Sequence, residues 1–132
     1  MIPAVMSRMV AAVRQRKEVI EAWGDGSARR EFMLASDFAN FIFFALSNFD
    51  QLPTVMNVGV GVDHSVADYY QAIASVVGFR GSIEFDKSKP VGMQRKLLDV
   101  SWQKRLGWAP SRSLNDGLGE AFNYLNQRSR FD

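Results

Sequence analysis

The 132-residue sequence is 47% apolar and 23% charged, the balance of an ordinary globular domain with enough aromatic surface to build a core. It has no cysteine, which excludes disulfide scaffolds, thiolate metal sites and cysteine nucleophiles, and its single histidine, His64, argues against a histidine-rich metal centre. Sixteen basic against fourteen acidic residues leave a net charge of +2, a mild preference for anionic ligands with no obvious nucleic-acid footprint.

Ile2, Val5, Met6, Met9, Val10 and Val13 recur at helical spacing, with Pro3 in the first turn, where its missing N–H is harmless. Arg8 lies roughly 130° from the centre of this apolar stripe. Positive charges, Arg14 to Lys17, follow the apolar stretch instead of preceding it, so the start does not read as a signal peptide and the expected location is cytoplasmic. Glu18 to Trp23 predicts a strand closed by Gly24-Asp25-Gly26-Ser27, a hairpin or tight-turn signal, with Arg30 to Leu34 as the returning extended segment. Ser36 or Asp37 is the expected cap of a helix running to about Asn48. That helix is apolar nearly all round, so it is packed on several sides or lacks a partner. Its apolar run, Phe38 to Leu46, is too short to span a bilayer.

Val55 to Val58 predicts a short strand before Gly59-Val60-Gly61. Ser65 caps an expected helix, Val66 to Val77, ended by Gly78. Ser82 to Phe85 is a further strand, Asp86 to Gln94 a loop, and Arg95 to Val100 an extended segment. Ser101 is the expected cap of a one-turn helix. Ser113-Leu-Asn-Asp116 resembles a capping box before a last helix with Leu114, Leu118, Ala121, Phe122 and Leu125 on one face. The expectation is one α/β domain over residues 1–132, with helices, a few short strands and too little strand for a complete doubly wound sheet.

Four stretches in series resemble one family. Trp23-Gly-Asp-Gly-Ser-Ala-Arg-Arg30-Glu-Phe32, Asn57-Val-Gly-Val-Gly61, Phe85-Asp-Lys-Ser-Lys-Pro90, and Arg95-Lys-Leu-Leu-Asp99 with Leu106-Gly-Trp108 are similar to segments of the GDP-L-fucose synthase family. These are extended short-chain dehydrogenases/reductases. The opening Ile2-Pro3-Ala4 fits the same order. Departures are Leu34-Ala-Ser-Asp37, where the family has His-Val-Asp-Asp, and Val91, where it has Asp.

The resemblance implies a small substrate-binding lobe, with the Rossmann domain absent. The family's Tyr-x-x-x-Lys pair has no counterpart here, since Tyr69, Tyr70 and Tyr124 are followed four residues on by Ile73, Ala74 and Arg128. Neither is there a Gly-rich dinucleotide loop. The resemblance therefore implies no cofactor in this chain, NADP(H) in the complete family enzyme, and no catalysis of GDP-4-keto-6-deoxymannose epimerisation and reduction by this chain alone. It assigns Arg8, Trp23, Arg30 and Lys96 to a GDP-sugar, with Trp23 on the base and the cations on the pyrophosphate. Read from residue type alone, Trp23 is equally a strand-end core aromatic, and the three cations are solvated surface charges. Expected partners are a GDP-sugar nucleotide, a missing or separate Rossmann domain, and a second copy in a homo-oligomer, with no nucleic acid and no membrane. The rival expectation is a non-catalytic oligomeric interaction module.

Overall fold

A computed structural model describes residues 1–128. In chain order it has α1 (Ile2–Arg14), β1 (Val19–Trp23), β2 (Arg29–Arg30), α2 (Ala35–Ser47), β3 (His64–Ser65), α3 (Val66–Val77), β4 (Ser82–Asp86), β5 (Arg95–Lys96), α4 (Ser101–Arg105) and α5 (Leu114–Arg128). The architecture is α/β with few, short strands, as the sequence implies. Among the described residues no helix is long and apolar enough to cross a membrane.

The core lies between a two-stranded sheet and three helices. Val5, Met6 and Met9 of α1, Ile20 and Ala22 of β1, Ile73 and Ala74 of α3 and Leu118 of α5 form one buried cluster. Helix α1 follows its expected stripe with one shift: in the last turn Ala12 is buried and Val13 exposed. Helix α3 has the expected bounds. Ser65 Oγ accepts from Asp68 N–H while the Asp68 carboxylate accepts from Ser65 N–H, and Gly78 ends the helix at φ +79°. The same reciprocal pairing joins Ser113 and Asp116 before α5.

The hairpin does not form. Strand β1 pairs in parallel with β4, from Val19 opposite Ser82 to Trp23 opposite Asp86. The turn instead hands the chain to a second sheet. Asp25 Oδ1 accepts from both the N–H and the hydroxyl of Ser27, and Gly24 and Gly26 take positive φ. A Cβ at Gly26 would sit 2.8 Å from the Phe85 ring, so only glycine lets the chain cross β4 there. The carbonyls of Gly26 and Ala28 then accept from Ala67 and Val66 N–H at the start of α3, which commits this stretch away from β1.

The returning segment is extended only over Arg29–Arg30. Strand β2 lies between β3, antiparallel, and β5, parallel. Val55 to Val58 forms no strand, and Val55 is 83% exposed. Beyond Lys96 the segment to Val100 leaves the sheet. Neither Ser36 nor Asp37 caps α2, whose N-cap is Leu34 without a side-chain bond. Asp37 is buried and accepts from Ser111 N–H and Oγ instead. Ser101 likewise caps nothing; its N–H donates to Asp99 Oδ1.

Met9→Ala should lower unfolding stability by about 2–5 kcal/mol, since it empties a fully buried site. Val13→Ala, on the exposed side of the last turn, should cost less than about 1 kcal/mol. Chemical denaturation of the two variants checks the shifted stripe; equal losses would contradict it.

Candidate functional site

Trp23 ends β1 with its indole 69% exposed, on the same face of the strand as Glu21. Lys89 Nζ stands 5.9 Å from the ring centroid, and it also pairs at 3.9 Å with Asp86, the residue opposite Trp23 in the sheet. The loop after β4 runs from here towards β2. A Cβ at Gly24 would touch Val91 Cα at 3.5 Å, and one at Gly92 would lie 4.0 Å from the Arg30 guanidinium. Gln94 then accepts from Arg29 N–H, which leads the loop into β5.

Arg30 and Lys96 face each other across β2 and β5. The Arg30 guanidinium donates only to the Arg29 carbonyl, at 2.7 Å, and among the described residues neither cation has a carboxylate partner. Like charges directly opposite in a sheet repel. Arg8 is exposed on α1 and donates to the Glu21 carbonyl, two residues before Trp23. The structure thus brings Arg30 and Lys96 side by side, joins them to Trp23 through one loop, and sets Arg8 against the strand that carries Trp23.

One residue behind each free cation stands a tied one. Arg29 and Arg95 also face each other, and both converge on Asp63, whose side chain is 5% exposed. Arg29 donates through Nε at 3.1 Å and Nη2 at 3.0 Å to Oδ1, and through Nη2 to the Asp63 carbonyl at 2.7 Å. Arg95 donates through Nε to Oδ2. The hydrogen bonds from Arg95 and then Arg29 hold the Asp63 carboxyl down from 3.8 to about 2.

Glu31 and Gln103 fix the glycine segment. Glu31 Oε1 accepts from Gly61 N–H at 2.7 Å and Oε2 from Leu98 N–H at 2.8 Å. The buried Gln103 amide accepts from Gly59 N–H at 3.0 Å and donates to Gly59 O at 2.9 Å. Glu31 is thus spent on backbone donors, and Asp25 on Ser27 in an exposed turn. Tyr69 is buried and donates to Arg30 O at 3.0 Å; burial pushes its hydroxyl up to about 12. His64 packs edge-on against that ring, and among the described residues no group of three or more His, Asp or Glu is placed to hold a metal.

A dinucleotide loop needs a strand that enters a helix through close glycines. Here Gly24 and Gly26 lead into β2, and Gly59 and Gly61 follow no strand and are bonded to Gln103 and Glu31. Neither pair fits NADP(H). Cavities lie to either side of residues 31–35 among the described residues. One of about 300 Å³ is mostly apolar, between the start of α1, residues 32–35 and α5; none of the four expected residues lines it. The other is open, and Lys96 lines it with Glu31, Met93 and Leu98.

Residues 2–59 match the sequence model of the NAD dependent epimerase/dehydratase family. It is similar to GDP-L-colitose synthase of Yersinia pseudotuberculosis, 45% identical over 130 residues that make up 98% of this chain and 42% of that protein. It is also similar to GDP-L-fucose synthase of Azorhizobium caulinodans, 44% identical over 94% of this chain and 40% of that one. Among solved structures, GDP-mannoheptose C4 reductase from Campylobacter jejuni with NADP bound superposes at a TM-score of 0.83, with 27% identity over 95% of this chain and 44% of that one. The chain spans about two fifths of the length of the curated relatives it matches.

Acid should act through Asp63. Its folded pKa is depressed, so the stability it contributes is complete above 3.8 and is lost as pH falls through about 2. Asp63→Asn should lower the denaturation midpoint at neutral pH, and the gap to wild type should close over that acid interval. A gap that stays constant with pH would contradict this linkage.

Proposed function

We propose that the chain is a nucleotide-sugar-binding domain spanning residues 1–132, which takes a GDP-sugar on Trp23, Arg30, Lys96 and Arg8. It corresponds to the substrate-binding part of an NADP(H)-dependent epimerase/reductase and is not catalytic by itself. The reading is carried by the unneutralised Arg30–Lys96 pair, joined by one loop to the exposed indole of Trp23. Two cations held opposite each other repel until an anion lies between them, and a pyrophosphate supplies that charge with several acceptor oxygens. A large exposed aromatic offers its face to a base. The GDP-sugar names of the similar proteins support the identity of the base. NADP(H) and the proton-transfer pair belong, in this reading, to a Rossmann domain that complements this chain.

Stacking on one base is worth about 1–3 kcal/mol, and a charge-assisted hydrogen bond about 1.5–3 kcal/mol. Trp23→Ala and Arg30→Ala should each weaken GDP binding roughly tenfold or more by titration calorimetry. Arg80→Ala should change little, because Arg80 precedes the other end of the β1–β4 sheet. The isolated chain should not oxidise NADPH in the presence of GDP-4-keto-6-deoxymannose. Unchanged affinity in both site variants would sink the nucleotide reading.

One observation favours a second reading, the oligomeric interaction module. Helix α2 buries only Asp37 and Phe41, and it leaves Phe38, Ile42, Phe43 and Leu46 exposed, with Phe49 just beyond. A contiguous apolar face of this kind drives association. Light scattering at micromolar concentration should report a dimer or larger species, and Phe43→Asp with Leu46→Asp should shift it to monomer. A monomeric mass for the unaltered chain would remove this reading.

A further inference from the structure

Asp63 sorts the four cations of the small sheet. Strands β2, β3 and β5 contribute two residues each, a pairing too short to hold its own geometry. Successive side chains of a strand point to opposite faces. Arg29 and Arg95 therefore share one face and Arg30 and Lys96 the other, and the register places each pair directly opposite. Asp63 immediately precedes β3 and binds both guanidiniums of the first face. One carboxylate thus ties all three strands together and converts a repelling pair into a bridge. Among the described residues the opposite pair makes no salt bridge, and it is carried on the same two strands that Asp63 ties together.

We infer that Asp63 is a positioning residue for anion binding: by clamping Arg29 and Arg95 on one face of the sheet, it holds Arg30 and Lys96 at the separation that recognises a diphosphate over a monophosphate. The inference rests on the nucleotide reading above and adds to it the residue that sets phosphate-number selectivity. Asp63 itself faces away from the ligand, so its effect belongs in the ratio of affinities and not in nucleoside recognition.

The test is the affinity ratio of GDP to GMP, measured by calorimetry with inorganic pyrophosphate as a third probe, in the wild type, Asp63→Asn, Asp63→Glu and Asp37→Asn. Asp37 is the other buried carboxylate paired with an arginine among the described residues, here Arg112, so its variant reports what a general structural loss does. The wild type should prefer GDP by about tenfold or more, the value of one added charge-assisted contact. Asp63→Asn should reduce that preference to about twofold, with a parallel loss for pyrophosphate and little change for GMP. Asp63→Glu, which keeps the charge, should restore most of it, and this variant carries the test if Asp63→Asn does not fold. Asp37→Asn should lose stability and keep the ratio.

If the wild type binds neither GDP nor pyrophosphate, the nucleotide reading falls and the inference falls with it. If the wild type prefers GDP and folded Asp63→Asn keeps that preference, the inference alone is overturned. An equal loss of preference in Asp37→Asn would also overturn it, as would failure of Asp63→Glu to restore selectivity.

Discussion

The arrangement of the candidate site depends on one buried carboxylate. Asp63 is almost inaccessible to water, and a lone charge there would be costly; two guanidiniums meet it with four side-chain hydrogen bonds. The three strands that it joins are too short to be stable as strands. Their positions follow from the ion cluster, from Tyr69 donating to Arg30 O, and from the N-terminus of α3 donating to the Gly26 and Ala28 carbonyls. The ion cluster and these hydrogen bonds supplement the short β-pairing around Arg30 and Lys96.

The residues that carry the family resemblance divide into two kinds of work. Glu31, Gly59, Gly61 and Asp99 are spent on the protein's own backbone. A Cβ at Gly59 would lie 2.4 Å from Glu31 Oε1, and one at Gly61 would lie 2.6 Å from Val100. Gly61, at φ +72°, is therefore required by the fold, and a Cβ at Gly59 would displace the Glu31 carboxylate from Gly61 N–H, so the Gly-x-Gly spacing has a structural use of its own. Arg29 falls in the same class, although it adjoins Arg30 in sequence. Among the described residues the Arg30 guanidinium bonds only the adjacent Arg29 carbonyl, Trp23 carries only Lys89 over its ring, and Lys96 has no carboxylate partner. Similarity over the first kind speaks for the fold, and only the second kind bears on a ligand.

The long elements were legible because their signals are local. The apolar stripe of α1, the Ser65–Asp68 and Ser113–Asp116 boxes and Gly78 each specify structure within a few residues. The second sheet was not legible, because its strands are defined by partners tens of residues away, such as Arg29 with Asp63 and Arg95. The hairpin expectation failed for a related reason. Asp-Gly reports a turn, and the turn is present, but which strand follows β1 is decided by Phe85 and α3. A recurring local signal was there to be used: Asp25-Gly-Ser27, Asp86-Lys-Ser88 and Asp99-Val-Ser101 each fold the aspartate onto the serine N–H and hydroxyl two residues on. Read that way, Ser101 is part of a turn and not a cap. Of the four expected site residues, sequence order could not show that Arg30 and Lys96 are neighbours.

Two surfaces are left with unmet physical demands, and they are of opposite chemistry. In the nucleotide reading the Arg30–Lys96 pair takes an anion; in the association reading the α2 face takes apolar cover. They are held by different contacts. Helix α2 is anchored mainly by Asp37 on Ser111 and Arg112 and by Phe41 edge-on against Trp108, all on the C-terminal side of the chain. The cationic pair is anchored by Asp63 and Tyr69. A partner that covered Phe43 and Leu46 would therefore not need to touch the anchors of Arg30 or Lys96. The nucleotide reading and the association reading are physically compatible, because the residues that satisfy one demand contribute nothing to the other.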